Sequence, residues 1–411
     1  MVLRQQQQQQ SGVPLTVLFI TLCLCAFVNA YVIKDDMCTD LNTATCTCYN
    51  GGEFELECTK KNISIKLEVI LQRVDIECNY NNDRRIYTYL PDLKLSNMSS
   101  GPGIDQVKFK YCPLPEGTTI KGVIVDKLGI DRVQTLTFSS KSDMQMRREQ
   151  LIGLTSLRSL RFNGPISDLS EDAFNGVPNI TALELRSTNV HLPLNIFKNL
   201  SELEFLELGS NGLNDLASGI FSNQRKLKRL NLWANNLRNL TKDSFIGATS
   251  VTDLDLSSNN IEMFQPDIFE HFKDLENINL GTNRFIELPV GLFSTNKKLM
   301  RIRLMYNRVD LKTLPNGLLA NLPQLQEVMI RCNLQFLPGD LLNGSTQIEN
   351  VTLSSNKLTT LPAEFFSTQT DMVNLDLSDN QLTELPEIFF NTNKKLKKIT
   401  LSNNNLTKIS G

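Results

Sequence analysis

The feature that most constrains this chain is a spelling that returns at fixed intervals. "LNLWAN" begins at Leu230, and the same leucine-x-leucine-x-x-asparagine form returns as "LELGSN" at Leu206, "LDLSSN" at Leu254 and "INLGTN" at Ile278. It continues as "VTLSSN" at Val351, "LDLSDN" at Leu375 and "ITLSNN" at Ile399, with weaker copies led by Leu136, Leu160, Leu183, Ile302 and Val328. The steps between leading residues are 24, 23, 23, 24, 24, 24, 24, 26, 23, 24 and 24. Steps that agree in both spacing and chemistry mean one coil per period, because no single period can bury its own apolar face.

Period and spelling are those of the leucine-rich repeat. Around Leu230 and Leu232 the alternation has period two, which predicts a short strand with one buried face. Stacked inward leucines make a continuous core. Asn235 and its equivalents Asn211, Asn259, Asn283, Asn307, Asn356 and Asn380 sit where the chain leaves the strand. An inward amide there can satisfy backbone groups that the bend strands without partners. Phe174, Phe197, Phe221, Phe245, Phe269, Phe293, Phe366 and Phe390 form a second apolar column, read as packing. The expected fold is an α/β solenoid: a leucine-rich-repeat horseshoe with a parallel concave sheet and a disulfide-bonded N-terminal cap.

Three segments are expected. Residues 1–30 read as a secretory signal: Arg4, an apolar stretch from Val13 to Val28, and small residues ending at Ala30. A membrane anchor is the rival reading, though the stretch is slightly short to span. Residues 31–129 hold a cysteine-rich cap and the first irregular repeats, and residues 130–411 the regular repeats. The chain stops at "LSNNNLTKISG" part-way through a repeat, so we expect a fragment whose membrane attachment lies in a missing C-terminal part. The formal net charge of −2 becomes −3 once Arg4 leaves with the signal. Neither value points to nucleic acid or another polyanion.

Cys23 and Cys25 leave with the signal, and six cysteines, Cys38, Cys46, Cys48, Cys58, Cys78 and Cys112, then precede the regular repeats. In a secreted chain such an even set reads as a disulfide framework, for which fifteen pairings exist. We favour Cys38–Cys48, Cys46–Cys58 and Cys78–Cys112, the last because "VDIEC" and "VKFKYC" look like adjacent strands. Zinc is the alternative, but no histidine lies among them. Cys332 is the odd one, read as an inert thiol. Eight glycosylation sequons, at Asn62, Asn97, Asn179, Asn199, Asn239, Asn343, Asn350 and Asn405, suit the same compartment. Asn350 alone heads a repeat strand, which places it on the concave sheet, whereas Asn405 should project from an edge.

Nothing in the chain resembles a catalytic constellation. Its two histidines, His191 and His271, fall outside the strand segments, and neither a nucleophile elbow nor a phosphate-binding glycine loop occurs. Asp253 and Asp255 share a strand face, but that face is open. No enzyme activity, metal or cofactor is expected. The residues flanking inward leucines should line the concave sheet: Arg186, Phe205, Glu207, Arg229, Asn231, Trp233, Asp253 and Asp255 are the candidate ligand-binding set. Tryptophan among arginine and acids is the composition of a binding hot spot. The plainer reading is a tryptophan lying flat over its neighbours as a partly covered platform. Arg301, Arg303, Met329 and Arg331 form a separate basic patch, read as a solvated face.

Three longer stretches carry a resemblance. "LNLWANNLRNLTKDSFIGATSV" (Leu230–Val251), "RLMYNRVDLKTLPNGLLANLPQLQ" (Arg303–Gln326) and "LPGDLLNGSTQIENVTLSSNKLTTLPA" (Leu337–Ala363) are similar to the ectodomains of the insect Toll receptors. So are the steps of 26 and 23 around Val328 and the six-cysteine cap. The resemblance implies a single-pass cell-surface receptor that binds a processed cystine-knot cytokine, Spätzle or a relative. The ligand would sit near the cap and the early concave repeats. Self-association of the full-length receptor would then signal through a cytoplasmic domain in innate immunity and patterning. A secreted decoy, or an adhesion module binding microbial glycan or lipid, would share the same repeats.

Overall fold

The computed structural model describes residues 45–407, apart from 51–53, 61–62, 80–83, 96–102, 142, 308–310 and 388. The expected signal segment, Cys38, Asn62 and Asn97 therefore lie outside the described residues.

Four strands open the fold: β1 (Cys46–Asn50), β2 (Phe54–Lys60), β3 (Ile63–Ile70) and β4 (Arg73–Cys78). They pair antiparallel in sequence order. From β4 onward every pairing in this sheet is parallel. β5 (Gln106–Lys110) joins β4, followed by β6 (Thr135–Ser139), β8 (Ser159–Asn163) and β10 (Ala182–Arg186). β7 (Met144–Met146) and β9 (Ile166–Leu169) form a separate two-stranded sheet. One strand per coil then follows: β11 (Phe205–Glu207), β12 (Arg229–Asn231), β13 (Asp253–Asp255), β14 (Asn277–Asn279) and β15 (Arg301–Met305). The last four are β16 (Glu327–Arg331), β17 (Asn350–Thr352), β18 (Asn374–Asp376) and β19 (Lys398–Thr400).

The register puts each leading residue beside the next: Leu206 against Leu230, Leu230 against Leu254, Ile302 against Val328. The same column runs back to Val107 and Val74. Parallel stacking thus starts inside the segment whose spelling is irregular, because valine at either position fills the inward slot. The phenylalanine column is buried as expected, with Phe197 and Phe221 stacked at 6.0 Å and Phe269 and Phe293 at 5.7 Å. Phe390 at its end is partly buried. Between strands the outer segments are mostly turns, with 3-10 turns at Ile86–Tyr89 and Lys242–Phe245 and a π-helical segment at Gly122–Lys127. Among the described residues the only α-helix is the single turn Arg148–Leu151.

The asparagine ladder is the main internal brace. Asn259 Nδ2 donates to the Leu232 and Leu256 carbonyls, both at 3.0 Å, and its Oδ1 accepts from Leu237 N at 3.1 Å. Asn235, Asn283, Asn356 and Asn380 repeat the pattern. The residue before the asparagine takes a left-handed conformation, as in Ala234 (φ 52°) and Ser258 (φ 57°). Non-glycine residues occupy that region at a cost, here offset because the left-handed residue's own N–H donates to the next coil. Cys332 takes the amide's place in its coil. It is buried, its thiol donates to the Leu304 carbonyl at 3.1 Å, and burial pushes its pKa up to about 12. That is the chemistry of an inert packing thiol.

A second amide ladder, not foreseen in the sequence, runs behind the phenylalanines. Buried Gln224, Asn296, Gln369 and Asn393 donate to carbonyls one coil back, such as Gln224 Nε2 to Phe197 O at 2.6 Å. In the cap, Cys46–Cys58 crosses β1 and β2, and Cys78–Cys112 ties the end of β4 to the chain just after β5. Both match the favoured pairing. Cys48 is disulfide-bonded as well, and its expected partner, Cys38, lies outside the described residues. No group of three or more potential metal ligands occurs among the described residues.

Candidate ligand-binding face

Inward residues of a strand alternate with residues facing the open side, so each three-residue strand offers two open positions plus those beyond it. The face is built mainly of pairs that reach across strands. Arg161 meets Glu184 at 3.0 Å, Arg186 meets Glu207 at 3.1 Å, and the Arg229 guanidinium lies 4.9 Å from the centre of the Phe205 ring. Arg186 and Arg229 are exposed, while Phe205, Asn231, Trp233, Asp253 and Asp255 are half-buried.

Glu207 differs from the rest of the candidate set. It is 2% exposed, so it underlies the face rather than presenting itself on it. Its Oε1 accepts from Gly209 N at 2.7 Å, and its Oε2 accepts from Arg186 at 3.1 Å and from Asn231 Nδ2 at 2.9 Å. Asn231 Oδ1 in turn accepts the Trp233 backbone N–H at 3.0 Å. The indole lies over Gly209. A Cβ at Gly209 would overlap indole Nε1 and Cδ1 and would come within 2.6 Å of Glu207 Oε1. Trp233 is therefore the partly covered platform, seated in the space that the missing side chain leaves. Register places Phe205 beside Arg229 and not beside Trp233. Gly209 is the residue that sequence reasoning underrated; a small residue one coil before a tryptophan was the available signal.

Burial pushes the Glu207 carboxyl above its ordinary value of 4.5, against the opposing pull of the Gly209 N–H and Arg186. A carboxyl raised in this way holds its proton more tightly folded than unfolded. Its contribution to stability is therefore fullest below 4.5 and is lost as pH rises through the folded value. Trp233 is the only tryptophan in the chain, so its emission reports on this cluster alone. We predict an emission change on acidification with a midpoint above 4.5, abolished by Glu207→Gln. A midpoint at or below that value would contradict the assignment.

One coil further on, the acids are held by neutral donors. Asp253 accepts from Thr252 and Asn277, and Asp255 from Ser257 and Asn279. Neither makes an ion pair among the described residues. They line a shallow hollow together with Phe205, Arg229, Asn277, Arg301 and Arg303. The basic patch thus extends the candidate face: Arg301 and Arg303 border the hollow while also facing Glu327 at 3.4 and 3.8 Å. Arg331 lies 3.9 Å from Asp376. Neither histidine borders this hollow. Of the described sequon asparagines, Asn179, Asn199, Asn239, Asn343 and Asn405 are exposed outside the strands, and Asn350 alone lies in one.

The comparisons with known proteins agree with this architecture. The leucine rich repeat family model matches residues 225–285 and 370–411, and the BspA type leucine rich repeat region (6 copies) matches residues 147–252. The Drosophila melanogaster protein named Protein toll is 50% identical over 333 residues, which make up 79% of this chain and 30% of the fly protein. A chain of the Drosophila Toll–Spätzle complex superposes with a TM-score of 0.82 at 39% identity, covering 91% of this chain and 49% of that one. The glycosylated form of that complex gives 0.83 at 40% identity, covering 92% and 50%. A chain of the TLR13–ssRNA13 complex, 19% identical with a TM-score of 0.54 over 76% of this chain and 55% of that one, shares the fold alone. The chain spans about half the length of the solved Toll chains it matches.

Coil, cap and open face together define a leucine-rich-repeat solenoid with a disulfide-bonded cap, a fold that presents one open binding surface. Within that class the chain corresponds in sequence and in fold to part of the leucine-rich-repeat ectodomain of the Toll receptors.

Proposed function

We propose that this chain is the ligand-binding part of a Toll-type receptor on the extracellular side of the cell, and that it binds a Spätzle-like cystine-knot cytokine. The observation that supports this most is its likeness to the solved Toll–Spätzle complexes, at 39–40% identity over nine-tenths of its length. The candidate footprint runs from the cap to about β15, across Arg186, Phe205, Arg229, Asn231 and Trp233, with Asp253 and Asp255 in the adjoining hollow. Glu207 belongs to it as the buried anion that holds Arg186 and Asn231 in place. A standard interface needs about 800 Å² per partner, and six strands at about 4.8 Å spacing together with the cap can supply it. Self-association of complete receptors around the bound cytokine would carry the signal across the membrane, for innate immunity or embryonic patterning.

A capture experiment separates this reading from its rivals. Purified chain is offered processed Spätzle-type cytokine in one arm and purified cell-wall glycan or lipid in the other. Saturable capture of the cytokine alone is expected. Capture of the cell-wall component alone would make the chain a pattern-binding or adhesion module.

A further inference from the structure

Asn350, Val351 and Thr352 make up β17. Val351 is 2% exposed and points into the core, so Asn350 and Thr352, its neighbours on either side, both stand on the concave sheet. This is the reverse of the other described sequons, whose asparagines lie on edges and turns. The amide of Asn350 is oriented: its Oδ1 accepts from Asn374 Nδ2 at 2.7 Å. Its Nδ2, the atom to which an N-linked sugar attaches, makes no hydrogen bond among the described residues. Around it lies a hollow on the open side, lined by Glu327, Met329, Thr352, Asn374, Asp376 and Lys398. Carboxylates, an amide, a hydroxyl and an ammonium group around one apolar side chain form a wall that can hydrogen-bond sugar hydroxyls and pack a pyranose face.

We propose that Asn350 carries an N-linked glycan that occupies this hollow and closes the β16–β19 end of the concave face to protein ligands. The two described disulfides suit an oxidising secretory compartment, and the inference rests on the extracellular reading given above. In the coupling step, Asn350 Nδ2 attacks C1 of a lipid-linked oligosaccharyl diphosphate. The N–C1 bond forms and the C1–O bond breaks. The lipid diphosphate leaves with the electron pair, and the proton lost from the amide passes to a base. Strands β16 to β19 span about 14 Å at about 4.8 Å per interval. A branched oligosaccharide anchored on β17 therefore covers the width of this end. A cytokine docked on the early coils meets no such obstruction.

The test needs no cytokine. The full chain is secreted from insect cells as wild type, Asn350→Gln, Thr352→Ala and Thr352→Ser, and glycopeptides are mapped. The accessibility of Lys398, which is exposed at the hollow's far wall, is read with a bulky amine-reactive reagent, with exposed Lys273 as the internal reference. Asn350 should be occupied in the wild type and in Thr352→Ser. Labelling of Lys398 relative to Lys273 should rise several-fold in Asn350→Gln and Thr352→Ala, and circular dichroism should be the same for all four proteins. An empty Asn350 beside occupied Asn179 or Asn239 overturns this proposal alone. Empty sequons throughout overturn it together with the extracellular reading. An occupied Asn350 with unchanged Lys398 labelling overturns the closure of the face.

Discussion

Replacing Asn259 with alanine is expected to destabilise the central coils by about 1–3 kcal/mol, the cost of one buried group left without a partner. That group is the Leu237 N–H, whereas the carbonyls of Leu232 and Leu256 each lose one amide donor and keep another, from Asn235 and Asn283. All three residues are buried, so water is a poor substitute. Because stability in a repeat array is close to a sum of coil and neighbour terms, the damage should be local. Hydrogen exchange should accelerate most in β12 and β13 and fall off toward both ends. Uniform acceleration from cap to β19 would contradict nearest-neighbour coupling. An unchanged pattern would show that the ladder is dispensable at this coil.

Replacing Cys78 and Cys112 together with serine is expected to remove about 2–4 kcal/mol from the N-terminal end, in the usual range for a native disulfide. The bridge closes a loop with a sequence separation of 34, against 12 for Cys46–Cys58. On loop entropy alone the longer one is worth about 1 kcal/mol more. It also fastens the last antiparallel strand to the first parallel one, where the pattern of the sheet changes. The cap should therefore become protease-sensitive around β1 to β5 while Trp233 emission stays native. Protease resistance equal to wild type would show that β4–β5 pairing alone holds the junction.

These expectations indicate how much of the fold was legible beforehand. Period, strand positions, concave sheet and asparagine ladder could be read off because each repeat restates the same inward leucines, so errors at one coil are corrected by the next. The two described disulfides could be read because β1–β2 and β4–β5 bring their cysteines onto neighbouring strands. What the spelling could not show was the start of parallel stacking at Val74 and Val107, where the intervals are unlike the later ones. Nor did it show the Gln224 and Asn393 ladder, whose members alternate between glutamine and asparagine and are absent from several coils. The candidate face was half legible. Alternation assigns Arg186, Arg229 and Trp233 to the open side, but it treats Glu207 identically. Only the three-dimensional packing of Arg186, Asn231 and Gly209 around it reveals a buried anion beneath a tryptophan.

The most direct test is the affinity of processed Spätzle-type cytokine for the purified chain and for its Trp233→Ala variant. A seated aromatic at the centre of an interface contributes in the hot-spot range, so the variant should bind about 5- to 30-fold more weakly, equivalent to about 1–2 kcal/mol. Circular dichroism should be unchanged, because the indole covers Gly209 from the open side and fills no core position. Weakened binding by a folded variant is the expected result. Wild-type affinity in Trp233→Ala, or no saturable binding by the wild-type chain at all, would contradict it.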